Sequence, residues 1–186
     1  MPRLNQVTND QADEKSQQLL SGVQKKLGTT PNIMRVMANS PAVLDAYLQF
    51  SGTLAKGALS SRLREQIALA VGEANSCDYC LAAHSAIGRQ VGLKDEEIAD
   101  SRRAVSSDPK TSAALAFARK VVAERGNVSD ADVDGLRAAG FADGSITEIV
   151  ANVALNIFTN YVNHVADTEI DFPKAQPLTA SAACAC

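Results

Sequence analysis

Two cysteines and a histidine stand close together near the middle of this 186-residue chain. Cys77 and Cys80 form a Cys-x-x-Cys pair, and His84 follows four residues after the second cysteine. On a helix, positions i, i+3 and i+7 lie on one face. The thiolate is the reactive form of cysteine, and a nearby base helps to form it. Two thiols and a base on one helix face are therefore suited to reversible thiol chemistry.

Either of the two sulfurs could be the nucleophile. Ser76 is the expected N-cap of the helix that carries them, which places Cys77 in the first turn, where free backbone N–H groups favour a negative charge. Cys80 lies one turn deeper, with His84 one turn after it. The two positions favour a thiolate for different physical reasons, and spacing alone leaves the choice open.

A carboxylate is expected to complete this group. If the helix that ends near Asn75 and the Cys-bearing helix form an antiparallel hairpin, residues equally distant from the turn face each other. Position 65 then faces roughly position 85, so Glu65 would meet His84. Such a carboxylate orients the imidazole, and the imidazole takes the thiol proton. Glu73, nearer the turn, is the competing carboxylate.

The composition favours a helical core of small side chains and excludes several classes of partner. Hydrophobic residues make up 46% of the chain, aromatic residues only 4%, and there is no Trp. The net charge is −3 and the 18 Lys and Arg are scattered, so we expect no nucleic-acid partner. The first residues show no apolar stretch typical of a secretory leader, and no segment approaches 18 uninterrupted apolar residues. We therefore expect a cytoplasmic protein with no membrane partner. In a reducing cytosol, a close cysteine pair is more often catalytic or metal-binding than structural.

Helical periodicity and capping residues predict an all-α fold, a compact bundle of about seven helices. Ser129 with Asp132 and Ser145 with Glu148 have the spacing of capping boxes. A charged stretch, residues 94–103, leads to residues 106–109, which are the best candidate for an internal linker. The expected helices cover residues 10–27, 41–57, 61–75, 77–92, 110–124, a stretch from 129, and 145–166, and residues 31–37 are expected to form a short turn of helix.

We predict one domain over residues 1–172, in which about the first 30 residues form an arm or an extra helix. Residues 173–186 are small and polar, and we expect a flexible C-terminal tail. This tail carries Cys184 and Cys186. They could relay electrons to the first cysteine pair or bind a soft metal, but we expect them to be bystanders.

The last predicted helix carries a repeated polar residue on an otherwise apolar surface. Asn152, Asn156, Asn160 and His164 recur every four residues. Since Asn is a poor helix former, this stripe is either a solvated seam or the polar wall of an internal site. On the second interpretation Asn160 and His164 line the site near the thiols. The wide apolar surface of the same helix favours a homo-oligomer.

The chain resembles the alkylhydroperoxidase D (AhpD) family, which is related to the carboxymuconolactone decarboxylases. The resemblance lies in the Ala-rich helical sequence and in the spacing of four residues: Glu65, Cys77, Cys80 and His84. Residues 160–173, with the sequence NYVNHVADTEIDFP, resemble the peroxidase-related branch of that family. Over about residues 30–173, the resemblance implies an AhpD-like helical fold that assembles as trimers or hexamers, and a peroxidase cycle that needs no cofactor.

The resemblance also implies a role for each site residue. Cys80 would attack the peroxide, and Cys77 would condense with the resulting sulfenic acid to form a disulfide. Glu65 and His84 would relay protons, and an external dithiol or protein reductant would reopen the disulfide. Better-known members have a histidine immediately before the second cysteine. Here that position is Tyr79, which we expect to line the site.

The sequence thus predicts a thiol-dependent peroxidase that reduces hydroperoxides. One alternative is a general disulfide oxidoreductase that uses the same pair. Another is a non-enzymatic metal-binding or interaction module with a zinc site of the Cys2His2 type. A thioredoxin fold is disfavoured by the missing strands, and a lactone decarboxylase gives no reason for the cysteine pair. The zinc ligands would be Cys77, Cys80, His84 and His164.

Overall fold

The computed structural model describes residues 2–178, and these residues form nine α-helices and no strands. The all-α prediction is confirmed, although the expected number of helices was too low. Within the described part, no helix has the length and apolar character needed to cross a bilayer. The helices are α1 (Glu14–Leu27), α2 (Asn32–Met37), α3 (Pro41–Leu54), α4 (Ser61–Ala74), α5 (Asp78–Gln90), α6 (Asp95–Arg102), α7 (Pro109–Ala123), α8 (Asp130–Ala138) and α9 (Asp143–Ala166).

Helix α4 is the centre of the bundle. Residues 66–72 are all buried, because α5, α6, α7 and α9 pack around this helix. Ile67 and Val71 of α4 belong to one apolar cluster with Leu115 of α7 and Ile149 of α9. Glu65 immediately precedes the buried run, so its backbone is held by the core while its side chain stays partly exposed.

A tight turn joins α4 to α5 and sets the position of the cysteines. Ser76 has a left-handed backbone, with φ of 53°. The N-cap of α5 is Cys77, whose Sγ accepts a hydrogen bond of 3.3 Å from the backbone N–H of Cys80. The prediction of Ser76 as N-cap was therefore wrong by one residue, because the left-handed residue completes the turn before the helix begins.

A second apolar cluster surrounds the cysteines and includes the N-terminal helix. Leu20 of α1 is 1% exposed, so this helix is packed into the core. The other buried members come from α1, the α2 region, α3 and the first turns of α5. They include Val23, Met34, Met37, Leu44, Cys77, Tyr79 and Cys80.

Two predicted elements differ from the structure. Residues 95–102, a charged stretch for which no helix was predicted, form α6. The sequence pattern of this helix is weak, because Ile98 is its one buried apolar residue. The capping box at Ser145 is wrong, since α9 begins at Asp143. The Glu148 carboxylate instead accepts the backbone N–H of Ala58, at 2.8 Å. The capping box of α8, with Ser129 as N-cap, is present.

The chain after α9 runs back over the bundle as a non-helical segment. We call residues 168–172 the C-terminal strap. The Asn32 side-chain amide donates a hydrogen bond of 3.0 Å to the carbonyl of Glu169 in this strap. Further on, Arg102 donates to the Gln176 carbonyl. The domain boundary at 172 and the flexible tail stay predictions, and Cys184 and Cys186 lie outside the described residues.

Candidate active site

Cys77 and Cys80 are joined as a disulfide, and their Cα atoms are 5.3 Å apart. Both residues are buried, with 1% and 3% of their surface exposed. The N-cap position of Cys77 and the first helical turn bring the two sulfurs together, as the i, i+3 spacing requires. Reduction of this disulfide to two thiols would take two electrons.

Glu65 and His84 meet across the α4–α5 hairpin. Oε2 of Glu65 lies 2.7 Å from Nδ1 of His84, and the two side chains are 18% and 21% exposed. A carboxylate at Nδ1 holds the proton on that nitrogen, which leaves Nε2 as the basic atom of the ring. The competing carboxylate, Glu73, binds Nε of Arg102 at 2.7 Å instead.

A cavity of about 370 Å³ opens beside this group. Its lining includes Cys80, His84 and Glu65, whereas Cys77 is not part of the lining in the described chain. Of the two cysteines, Cys80 is thus the one in contact with the space in which a small molecule could lie. Both residues are almost fully buried, so their contact with the cavity, and not their exposed fraction, distinguishes them.

The walls of the cavity are mainly apolar. Met34 of α2, Leu48 of α3 and Phe172 of the strap contribute to them. The polar part comes from the α4–α5 hairpin, from Tyr47 and Tyr79, and from one face of α9. The lining residues of α9 are Asn152, Leu155, Asn156, Thr159 and Asn163.

Asn160 and His164, which the sequence predicts at the site, are not among the residues that line this cavity. Asn160 is buried, but its Oδ1 accepts a hydrogen bond of 2.8 Å from the Asn75 side chain. His164 is exposed. A helix turns about 100° per residue, so each step of four residues drifts by about 40°. Residues at four-residue intervals therefore rotate away from the helix face that carries Asn152. The cavity-facing side of α9 runs from Asn152 to Asn163 instead.

Asn163 is the site residue that the sequence pattern did not single out. Its Nδ2 donates a hydrogen bond of 3.3 Å to Sγ of Cys80. The residue is 4% exposed, and its Oδ1 has no hydrogen-bond partner among the described residues. Its place beside the asparagine stripe was visible in the sequence, but its approach to a sulfur on a distant helix was not.

Tyr47 of α3 is a second residue that sequence reasoning missed. It lines the cavity, and its ring lies 6.4 Å from that of Phe158 on α9. Burial raises the pKa of the Tyr47 hydroxyl, and the negative charge of nearby Glu65 raises this pKa further. The hydroxyl therefore stays protonated beside the carboxylate. No local motif marks Tyr47, because it reaches the site from a separate helix.

Tyr79 lines the cavity, but its hydroxyl is already fully engaged. The hydroxyl accepts the backbone N–H of Ile33 at 3.2 Å and donates to Oδ1 of Asp171 at 2.8 Å. The ring of Phe172 packs edge-on against it, with centroids 5.8 Å apart. Burial raises the pKa of Tyr79 well above its ordinary value. Tyr79 therefore links the first turn of α5 to the strap and to α2.

The zinc set of the metal-binding alternative is not assembled. Cys77 and Cys80 are bonded to each other, and His164 is exposed on α9. Across residues 2–178, no group of three or more His, Cys, Asp or Glu residues is arranged to hold a metal ion. The donor set therefore fits redox chemistry better than zinc ligation.

The core of the site lies in a segment that matches a known family. The model of the carboxymuconolactone decarboxylase family matches residues 41–124, which contain Glu65, both site cysteines and His84. "Uncharacterized protein 4 in cox locus" from Paracoccus denitrificans is 34% identical over 80 residues, which are 42% of this chain and 71% of that protein. This chain belongs to the carboxymuconolactone decarboxylase family.

Two solved structures extend the likeness over nearly the whole chain. An uncharacterized peroxidase-related protein from Silicibacter sp. TM1040 is 27% identical, with a TM-score of 0.79 and coverage of 90% of this chain and 89% of that one. An uncharacterized peroxidase-related protein from Ralstonia eutropha JMP134, described as an alkylhydroperoxidase AhpD core, is 27% identical. Its TM-score is 0.83, with coverage of 91% and 92%. This member of the carboxymuconolactone decarboxylase family thus has an AhpD-like fold.

Proposed function

We propose that the protein is a thiol-dependent peroxidase that reduces hydroperoxides through a Cys77–Cys80 disulfide cycle. The observation that carries the proposal is the position of Cys80 in the cavity wall, beside the Glu65–His84 pair. A nucleophile, a base and a group that orients the base are thereby gathered at one space of substrate size.

The first step oxidises Cys80. His84 takes the thiol proton at Nε2, and the Glu65 carboxylate stabilises the imidazolium that results. The thiolate attacks the terminal oxygen of the hydroperoxide, so a sulfur–oxygen bond forms and the oxygen–oxygen bond breaks. The leaving alkoxide takes the proton back from His84. The products are an alcohol and a sulfenic acid on Cys80.

The second step forms the disulfide. Sγ of Cys77 accepts the Cys80 N–H at the start of α5, where the helix N-terminus favours a thiolate. This thiolate attacks the Cys80 sulfur, and the sulfenic hydroxyl leaves as water after it gains a proton. An external dithiol or protein reductant then supplies two electrons and two protons to restore both thiols.

Membership of the family does not by itself define the reaction. The family is named for a decarboxylase, whereas the two similar structures are described as peroxidase-related. A decarboxylation reaction would not use the disulfide. A general disulfide oxidoreductase would use the pair, but it would not need the largely apolar cavity beside Cys80. The disulfide and the largely apolar cavity beside Cys80 together favour a peroxidase.

Substitution of each cysteine tests the proposal. With cumene hydroperoxide and dithiothreitol, Cys80→Ser is expected to abolish peroxide consumption, because it removes the nucleophile. Cys77→Ser is expected to lose turnover but to give one rapid oxidation, with a sulfenic acid that dimedone traps on Cys80. Cys184→Ser/Cys186→Ser is the matched control and should keep wild-type turnover. Full peroxidase activity in both Cys77→Ser and Cys80→Ser would contradict the proposal.

A further inference from the structure

Asn163 brings a second polar group to the Cys80 sulfur, on the α9 side of the cavity. Its Nδ2 lies 3.3 Å from Sγ, and the residue is 4% exposed. The neighbouring lining asparagines bind their own helix instead. Nδ2 of Asn152 donates to the Glu148 carbonyl, and Nδ2 of Asn156 donates to the Asn152 carbonyl, each at 2.8 Å. Asn163 thus has its amide directed at the reactive atom.

The carbonyl oxygen of the same amide has no hydrogen-bond partner among residues 2–178. A buried acceptor without a donor is costly, and most buried polar atoms in proteins are paired. Because an amide oxygen can only accept, the missing partner must be an O–H, N–H or S–H group. Since Asn163 lines the cavity, that partner can come from a bound molecule or from a modified Cys80.

A hydroperoxide fits this requirement. Its single O–H donor is on the terminal oxygen, which is the atom that the thiolate attacks. After the attack, the same oxygen becomes the sulfenic O–H on Cys80. One acceptor beside the sulfur could therefore hold this oxygen before and after its transfer.

We propose that Asn163 binds both reacting atoms in the peroxide step. Nδ2–H donates to the Cys80 thiolate, while Oδ1 accepts first from the hydroperoxide O–H and then from the sulfenic acid O–H. The inference rests on the proposed peroxidase function. The sulfur gains the terminal oxygen with its hydrogen, the oxygen–oxygen bond gives its electron pair to the alkoxide, and His84 protonates that alkoxide. Thiolate sulfur is oxidised, and the peroxide is reduced.

The variant Asn163→Leu tests this role, because Leu has nearly the same size and neither donates nor accepts. The test uses a Cys77→Ser/Cys184→Ser/Cys186→Ser background, in which Cys80 is the remaining thiol. The pH midpoint for alkylation of Cys80 by iodoacetamide is expected to rise. Single-turnover oxidation by cumene hydroperoxide at neutral pH should slow about tenfold to a hundredfold, as for the loss of a hydrogen bond to a charged group. The thermal unfolding midpoint should not fall, since an unpaired buried oxygen is removed.

Two further variants separate this role from packing. Asn163→Asp keeps the shape but replaces the donor with a negative charge, so it should raise the alkylation midpoint further. Asn160→Leu on the same helix removes a buried amide that binds Asn75 rather than sulfur. It should lower the unfolding midpoint and leave the alkylation midpoint and the oxidation rate of the folded protein unchanged.

The outcomes distinguish the inference from the proposed function. An unchanged alkylation midpoint in folded Asn163→Leu overturns the role at the thiolate. A raised midpoint with an unchanged oxidation rate overturns the role at the peroxide. Alkylation does not depend on peroxidase activity, so a raised midpoint in a protein that never consumes peroxide supports the thiolate contact and contradicts the proposed function.

Discussion

At the scale of single residues, the site depends on the carboxylate of Glu65, whose backbone is held by the buried part of α4. Glu65 stands next to the buried run of α4, and its Oε2 lies 2.7 Å from His84 Nδ1. The ring of His84 is therefore oriented before any substrate enters. Preorganisation of this kind reduces the entropy that must be lost in the reaction itself.

Replacement of Glu65 by Gln is expected to slow the peroxide step about tenfold to a hundredfold, since Gln keeps an acceptor at Nδ1 but loses the charge that stabilises the imidazolium. Stopped-flow oxidation of the reduced protein by cumene hydroperoxide measures this rate. Glu73→Gln is the matched control, because Glu73 lies on the same helix but pairs with Arg102. Equal rates for Glu65→Gln and wild type would show that the carboxylate has no part in proton transfer.

The sequence allowed the Glu65–His84 contact to be predicted, because the geometry of an antiparallel hairpin depends on local spacing. It did not allow the Asn163 contact to be found. That contact depends on how α9 is rotated against α5, and a four-residue repeat and a 3.6-residue helix diverge over three turns. Tyr47 was missed for a similar reason, since only tertiary packing brings α3 to the cavity.

At the scale of elements, the C-terminal strap joins two helices at the cavity. Asp171 accepts the Tyr79 hydroxyl at Oδ1 and the backbone N–H of Asn32 at Oδ2, both at 2.8 Å. The first contact holds the turn of α5 that lies between the cysteines. The second holds the start of α2. Phe172, the next residue, forms part of the cavity wall.

The variant Asp171→Ala is expected to lower the free energy of unfolding by about 1–2 kcal/mol, because two hydrogen bonds are lost and the Tyr79 hydroxyl loses its acceptor. The KM for cumene hydroperoxide should rise several-fold as the Phe172 wall loosens. Urea unfolding and steady-state kinetics measure the two effects. Glu169→Gln is the control, because Glu169 contacts α2 through its backbone carbonyl. An unchanged KM would show that the strap does not shape the substrate site.

Most helices could be predicted from periodicity and capping residues, but the first residues of α5 and α9 could not. The turn at Ser76 needs a left-handed residue, and no glycine or asparagine marks that position. Glu148 has capping-box spacing, yet its carboxylate binds the backbone N–H of Ala58, which is far away in sequence. A capping prediction from local spacing fails when the predicted capping side chain binds a backbone group from a distant part of the sequence.

At the scale of the whole molecule, α9 presents an apolar stripe to solvent. Its large members are Val150, Phe158, Tyr161 and Val165, which are 42%, 39%, 57% and 63% exposed. Their spacing keeps them on one side of the helix. Single exposed apolar side chains are common, but a continuous patch favours an interface. We therefore expect a homo-oligomer. The trimer or hexamer that the family resemblance implies stays a prediction, and so does the cytoplasmic location.

Introduction of a charge into the stripe tests the oligomer. Val165→Lys is expected to shift the protein to smaller species in sedimentation velocity, because an interface would have to bury the ammonium group. Val105→Lys is the matched control, since Val105 is another exposed valine, 45% exposed, before α7. A sedimentation coefficient of a single copy for the wild type, or no shift for Val165→Lys, would contradict the expected interface on this stripe.

The absence of Cys77 from the cavity wall has a consequence for the proposed peroxidase cycle. In that cycle, because Cys80 is the cysteine that lines the cavity, a reducing thiol would enter by the route that the peroxide uses and attack the same atom. Oxidant and reductant must then take turns at a single entrance, and an excess of either one delays the other. The pace of the cycle is thus set by the balance between the two reactants, and not only by the supply of peroxide.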